Sequence, residues 1–357
     1  MKESHALLEY ISDEETMASA DEALRELLGI TSLDVKDDSS CGDDGELPSK
    51  ESVEALGDIS DDFIQQIVDT YDLKEQYKIT SVCVFPPELS IPAFIMRKLT
   101  EELVWSSDSR VMDKTYETIQ VLTNDKSSGE SIIEERRKLT RLENFVDSQK
   151  DWDILCNNYL RRCVSAALGM PQVLYKEKLN LKPPGGSGFA PHLDNPSLRI
   201  ALGDNGPKDF VTVMVAIDNM TSSNGCLRLA KGEWSEENAC AVILPEENGS
   251  PDASGRAGAI PLEIAETLNF EDLECPGGTI AIFNGWLPHR SSANSSPFPR
   301  RAVFLTYNAA SDGMFHAAYY ERMRKLRSEW RQRVGLSQNC DSDEKAELDA
   351  LSTIPRI

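Results

Sequence analysis

Apolar positions recur every three or four residues in the first half of this chain and every second residue in much of the second half, which divides it into a helical and a β region. Phe63-Ile64-Gln65-Gln66-Ile67-Val68 and the segment from Trp152 to Leu168 carry the helical spacing, so residues 63–170 are expected to be mostly helical. From about residue 172 the period changes to two. Val173 to Leu181, Phe210 to Ile217, Cys226 to Ala230, Thr279 to Asn284 and Ala302 to Asn308 are rich in β-branched or aromatic residues and bounded by Gly, Pro, Asn or Asp, so each reads as a strand. Short strands separated by irregular loops behind a helical region predict a mainly β fold with flanking helices. The expectation is a jelly-roll or cupin-like barrel over residues 171–310, followed by a C-terminal helix at 315–335.

Three segments fall outside that pattern. Lys231 to Gly278 carries the turn-rich runs Glu246-Glu247-Asn248-Gly249-Ser250-Pro251 and Ala253-Ser254-Gly255-Arg256-Ala257-Gly258, and reads as a long surface insertion of the kind that forms active-site lids. Ala18 to Ile30 has a short helical spacing of Leu24, Leu27 and Leu28, and the Asp- and Ser-rich tract from Ser32 to Lys50 reads as a flexible linker. The expected organisation is an acidic, partly disordered extension over 1–62, one domain over 63–335 and a tail over 336–357. The helix in the extension is either part of a solubilising tail or a docking element for a partner.

Composition narrows the function classes. The net charge of −23 argues against nucleic acid or an anionic membrane as a partner, since either demands a basic face. Residues 1–62 hold nineteen acidic and four basic residues, so they contribute −15 and the rest of the chain −8. No apolar run is long enough to span a membrane, and Met1-Lys2-Glu3-Ser4 does not resemble the start of a signal peptide, so a soluble, cytoplasmic protein is expected. The eight cysteines form no CxxC pair and read as reduced structural thiols.

Candidate chemistry comes from two of the four histidines, His192 and His289; His5 and His316 sit in ordinary surroundings. In an extended chain, positions i and i+2 share a face, so His192 and Asp194 in Ala190-Pro191-His192-Leu193-Asp194 can reach one metal ion from one strand end. The turn Pro183-Pro184-Gly185-Gly186-Ser187-Gly188 leads into that site. A second turn, Pro276-Gly277-Gly278, leads into the strand that ends at Trp286-Leu287-Pro288-His289, so His289 faces the same mouth. Two imidazoles and a carboxylate on one face of Fe(II) leave room for a bidentate 2-oxo acid and O₂. The far carboxylate of that acid calls for a forked cation, and Arg300 heads the strand expected beside His289. The His-x-Asp triplet alone is weak, because with so many acidic residues chance supplies it readily.

Arg141 to Tyr320 resembles the phytanoyl-CoA dioxygenase family of Fe(II)/2-oxoglutarate oxygenases, most closely its bacterial and fungal members that include a 2-aminoethylphosphonate hydroxylase. The resemblance rests on Lys176-Glu177-Lys178-Leu179-Asn180-Leu181-Lys182-Pro183-Pro184-Gly185-Gly186, Phe189-Ala190-Pro191-His192-Leu193-Asp194, Asn224-Gly225-Cys226-Leu227, and Leu287-Pro288-His289-Arg290-Ser291 through Arg300-Arg301-Ala302. It implies a double-stranded β-helix, iron ligation by His192, Asp194 and His289, and 2-oxoglutarate contacts from Arg300, Ser291 and Asn180. Two departures stand out. Leu193 replaces a common Gln, with its side chain expected to point away from iron, and Met214 stands where acyl-CoA members have Trp at the co-substrate wall.

Strand alternation adds Lys178, with Lys176 and Lys182, to the inward face of Asn180, and puts Tyr175, Glu177, Leu179 and Leu181 on the other. An inward Lys178 either meets an anionic group of substrate or co-substrate, or pairs with a core carboxylate such as Glu143. Arg141, Glu143 and Asn144 are a second polar set expected near the mouth, or else helix-surface or capping residues. Together these features predict a dioxygenase that hydroxylates an aliphatic C–H of a small anionic or zwitterionic metabolite, with release of succinate and CO₂. The alternatives are an acyl-CoA hydroxylase, a cupin-like metal enzyme without 2-oxoglutarate, and a non-catalytic binding protein.

Overall fold

The computed structural model describes residues 50–105, 113–124, 131–243 and 257–333, all within the compact unit Leu47–Ile357. The acidic extension up to residue 49, its expected helix, the C-terminal tail from 334 and the middle of the expected lid lie outside the described residues. In chain order the elements that matter here are α1 (Val53–Asp58), α2 (Asp61–Thr70), α3 (Leu73–Thr80), β1 (Val82–Val84), α4 (Ala93–Trp105), β2 (Asp113–Asn124) and β3 (Ser131–Glu143). A helical stretch, α5, follows over residues 150–168 with a π-helical middle at Ile154–Leu160. Then come β4 (Gln172–Lys182), β5 (Phe189–His192), α6 (Asp194–Leu202), β6 (Val211–Ala216), β7 (Leu227–Ala230) and α7 (Glu236–Ala239). The series ends with α8 (Leu262–Ala265), β8 (Phe270–Leu273), β9 (Ile280–Asn284), β10 (His289–Ser291), β11 (Arg300–Ala309) and α9 (His316–Arg333).

Among the described residues, eleven strands form two antiparallel sheets, a seven-stranded one in the order β1-β9-β6-β11-β4-β3-β2 and a four-stranded one in the order β5-β10-β7-β8. This is the jelly-roll, double-stranded β-helix architecture that the pattern predicted. Alternation along the central strands sorts their side chains. Val211, Val213 and Val215 of β6, with Val303, Leu305 and Tyr307 of β11, pack outward against the helices. Met214 and Ala216, with Ala302 and Phe304, face inward and meet Leu227 and Leu229 of the smaller sheet. Because both faces are covered, β6 is buried at every position and reads in sequence as a continuous apolar run. Tyr307 donates its hydroxyl to the Cys156 carbonyl at 2.7 Å, which ties the π-helical segment to β11.

Four expectations need correction. The folded unit begins before residue 63: Ser52 caps α1 through the Ala55 amide, and Val53, Leu56 and Ile59 enter the main core. Residues 113–124 and 131–143, expected to be helical, form the paired strands β2 and β3, which extend the larger sheet beside β4. The 231–278 segment is more than a surface insertion, because β8 pairs with β7, and Ile260, Ala265 and Phe270 pack around Leu193 and Trp286. Tyr175 does not share the outward face of Leu179: a register shift between Thr306 and Tyr307 sets it against Leu198, Phe210 and Tyr319. The six described cysteines are free thiols, and no helix among the described residues is long and apolar enough to cross a membrane.

Candidate active site

The smaller sheet brings the two histidines together. His289, the first residue of β10, pairs across the ladder with His192, the last residue of β5, and Asp194 starts α6 two residues later. The ring centroids of the two histidines are 4.1 Å apart. Asp194 Oδ1 lies 3.9 Å from His192 Nε2 and 3.7 Å from His289 Nε2. These gaps are too long for hydrogen bonds and within the span of one ion held at about 2.1 Å from each donor. All three residues are buried, and one donor atom of each lies within 4.8 Å of the others.

The surroundings select which atoms point inward. His192 Nδ1 meets the Ala190 carbonyl at 2.7 Å and His289 Nδ1 meets the Leu287 carbonyl at 3.0 Å. A carbonyl only accepts, so each Nδ1 carries the proton and Nε2 becomes the lone-pair nitrogen, turned toward Asp194. Thr212 donates to Asp194 Oδ2 at 2.8 Å, which assigns Oδ1 to the cluster. Burial alone would raise the Asp194 pKa, but His289 and His192 when protonated, with Lys178 and the Thr212 hydroxyl, hold it well below the usual carboxylate range. Leu193 points away into an apolar cluster with Ile260 and Trp286, as expected.

At the other end of β4 the structure gathers Arg300, Ser291 and Lys182. Arg300 is 2% exposed, donates to the Gly225 carbonyl, and has an Nε without a hydrogen-bond partner. Burial lowers its pKa to about 10. Ser291 Oγ accepts from the Phe189 amide at 3.2 Å and from Lys182 Nζ at 3.0 Å. Gly225 sits at φ +71°, and a Cβ there would lie 2.3 Å from the Ser292 carbonyl and 2.9 Å from Lys182 Nζ, so this turn needs glycine. Met214 is fully buried on the inner apolar wall, paired with Phe304 and Ala281.

Between these groups the inward face of β4 carries the alternation that the sequence predicts. Arg141, Lys176, Lys178, Asp194, Ser197, Leu198 and Thr306 line a cavity of about 20 Å³. Arg141 donates through Nε to Asn180 Oδ1 at 3.3 Å. Glu143 neutralises this region, with Lys176 at 3.5 Å, Arg141 at 3.6 Å and Arg327 at 3.4 Å. Although burial opposes ionisation, these cations hold its carboxyl at about 2. Lys178 leans over the Phe304 ring at 5.3 Å, and burial is the main influence lowering its pKa to about 8. Glu143 thus takes Lys176 rather than Lys178 as its ion-pair lysine. Asn144 follows the end of β3 at φ +59° and is not among the cavity-lining residues.

Sequence reasoning missed Thr212, Thr306 and Ser197. Thr212 and Thr306 were within reach of it: each lies two residues from an inward residue, Met214 and Phe304, on a strand of strict alternation. Ser197 depends on the helical turn of α6, and α6 was not anticipated at all.

Comparison with known proteins gives a family-level match. The phytanoyl-CoA dioxygenase family model matches residues 109–302. A 2-aminoethylphosphonate dioxygenase from the uncultured bacterium HF130_AEPn_1 is 40% identical over 190 residues, covering 53% of this chain and 66% of that protein. A methylphosphonate hydroxylase from Gimesia maris is 32% identical over 172 residues, covering 48% of this chain and 59% of that protein. The matched part of this chain therefore spans less than two thirds of either relative. Among solved structures, EctD from S. alaskensis with 2-oxoglutarate and 5-hydroxyectoine aligns at a TM-score of 0.44 and 18% identity, covering 74% of this chain and 79% of that one.

Proposed function

Because this chain belongs to the phytanoyl-CoA dioxygenase family, we propose that it is an Fe(II)- and 2-oxoglutarate-dependent hydroxylase of a small anionic or zwitterionic metabolite, with an aminophosphonate as the leading class. The observation that carries this reading is the buried His192, Asp194 and His289 cluster, with each histidine fixed through Nδ1 to a backbone carbonyl. That donor set suits iron(II): two imidazole nitrogens and one carboxylate oxygen, the remaining carboxylate oxygen being taken by Thr212. Iron(II) and a 2-oxo acid, when bound, supply the oxygen-activating chemistry that hydroxylates a substrate C–H and releases succinate and CO₂.

The chain's own residues bind, orient and exclude water. Arg300 and Ser291 hold the far carboxylate of the 2-oxo acid, in keeping with the buried guanidinium Nε that has no partner. Asn180, which accepts from Arg141, lies on the strand next to Arg300 and completes that wall. Met214 and Phe283 form an apolar wall, with the Phe283 ring 5.1 Å from His289, and keep water from the reacting region. Lys178 and Arg141 take the anionic group of the substrate. The cavity they line has room for about one water, so a substrate enters by turning these long side chains aside. Its lining is cationic rather than apolar, which favours a small anion over a fatty acyl chain. The phosphonate-directed names of the two relatives support the same class.

The test is a panel of aminophosphonates, alkylphosphonates and amino acid derivatives incubated with the Fe(II) protein and 2-oxoglutarate, with succinate measured. Succinate release is expected to rise above the substrate-free rate with a phosphonate or another small anion. A rise with acyl-CoA thioesters alone would replace the substrate class, and 2-oxoglutarate turnover with none of these compounds would overturn the reading.

A further inference from the structure

Arg300 and Lys182 are directly opposite each other in the β4–β11 ladder. Like charges in that position repel, and both side chains are buried, at 2% and 4% exposure. Among the described residues neither cation has a carboxylate within ion-pair distance. Asp218, the acid acting on Arg300 from further off, is engaged by Arg301 at 2.8 Å. Lys182 Nζ instead donates to three neutral acceptors, the Gly225 carbonyl at 3.1 Å, Ser291 Oγ at 3.0 Å and the Ser292 carbonyl at 2.6 Å. Arg300 shares the Gly225 carbonyl and leaves its Nε unused. Two buried cations on shared neutral acceptors form a site that lacks its anion.

We infer that Lys182 is a positioning residue for the far carboxylate of the 2-oxo acid, acting through Ser291 and adding a second positive charge beside Arg300. The inference rests on the co-substrate assignment proposed above. Ser291 Oγ accepts N–H groups from both Lys182 and Phe189, so its own hydrogen is left as a donor. With Lys182 in place, Ser291 and Arg300 Nε become two donors beside the same carboxylate, and a 2-oxo acid with a second carboxylate is preferred over one without. Burial and the neighbouring Arg300 pull the Lys182 pKa to about 7, outweighing Glu117, which acts on it from beyond ion-pair distance. A purely structural lysine would clamp the Gly225 and Ser292 backbone and serve both kinds of 2-oxo acid alike.

The experiment compares 2-oxoglutarate with 2-oxobutyrate, which chelates a metal equally well and has no second carboxylate. Dissociation constants are measured by titration of the anaerobic Fe(II) protein, following metal-to-ligand charge-transfer absorption, for the wild type, Lys182→Met and Lys182→Arg. Lys182→Met is expected to weaken 2-oxoglutarate roughly ten- to a hundred-fold and leave 2-oxobutyrate within about two-fold, while Lys182→Arg keeps most of the preference. Equal weakening of both acids, or no change in either, would overturn the inference. Wild-type protein that binds 2-oxoglutarate strongly while Lys182→Met does the same defeats the role of Lys182 alone. Wild-type protein that binds neither acid defeats the functional reading along with it. Should Lys182→Met fail to fold, Lys182→Gln retains donors for the backbone carbonyls without the charge and carries the same comparison.

Discussion

Strand β4 carries two buried lysines, Lys176 and Lys182, about 20 Å apart along its length, each at the centre of a group of cations, and the two groups are satisfied in opposite ways. Around Lys176 the cations converge on one acid, Glu143, whose carboxylate meets Lys176, Arg141 and Arg327. Around Lys182 the cations face each other across the ladder and find only carbonyls and a hydroxyl. The first group is nearly complete without a ligand, and it ties α9 to β3 and β4. The second is complete only with an anion. Lys176 is buried like Lys182 and Arg300, whereas Arg327 is partly exposed and also pairs with Asp113 at 2.7 Å, so the location of the counter-charge separates a structural cluster from a binding one.

The largest effects should come from breaking the triad and then from making the first group resemble the second. Glu143→Gln leaves Lys176 and Arg141 beside a neutral amide, with Arg327 still paired to Asp113, and loss of one partner of a buried pair costs about 3–5 kcal/mol. A fall in Tm of roughly 10 °C is expected by calorimetry. A Tm near that of the wild type would mean that water, rather than Glu143, satisfies those cations. In the second group, Arg300→Leu removes one of two repelling charges while Lys182 still serves the Gly225 carbonyl. Tm should hold or rise, and 2-oxoglutarate affinity should fall by about a hundred-fold or more. A large loss of stability would show that Arg300 is a structural residue.

The smallest effect concerns the outer face of the same strand, where Glu177, with Asp147 beside it, meets one titratable cation. Glu177 accepts from the Phe145 and Val146 amides and meets His316 Nε2 at 2.6 Å, which fastens the start of α9. Burial works against the charged imidazole, but Glu177 and Asp147 outweigh it and raise the His316 pKa above 6.5. A raised folded-state pKa stabilises fully below the unfolded value and loses that contribution as pH climbs through the folded value. The Tm advantage of wild type over His316→Gln is therefore expected to be greatest below about pH 6.5 and to shrink on the alkaline side. An advantage that is flat with pH would contradict the charged pair.

Much of this was legible in the sequence because period-two alternation is a strong geometric constraint. It put Lys178, Asn180 and Lys182 on one face and His192 at a strand end, whereas His289, expected to end the Thr279 strand, opens its own strand β10 in the smaller sheet. Tyr175 escaped because the register shift of β11 against β4 is a tertiary event with no local signature. The β2–β3 pair escaped for another reason. Ser131 to Glu143 is rich in Glu, Arg, Lys and Leu, which favour helix, and pairing with β2 and β4 overrides that preference. The choice of Glu143 between Lys176 and Lys178 turns on side-chain reach across the ladder, which residue order does not encode.

Anaerobic calorimetric titration of iron(II) into the metal-free protein and its Asp194→Ala variant tests the central claim most directly. The account predicts one iron(II) per wild-type chain and loss of that site in the variant, at unchanged Tm within a few degrees. Undiminished stoichiometric binding by Asp194→Ala would contradict it.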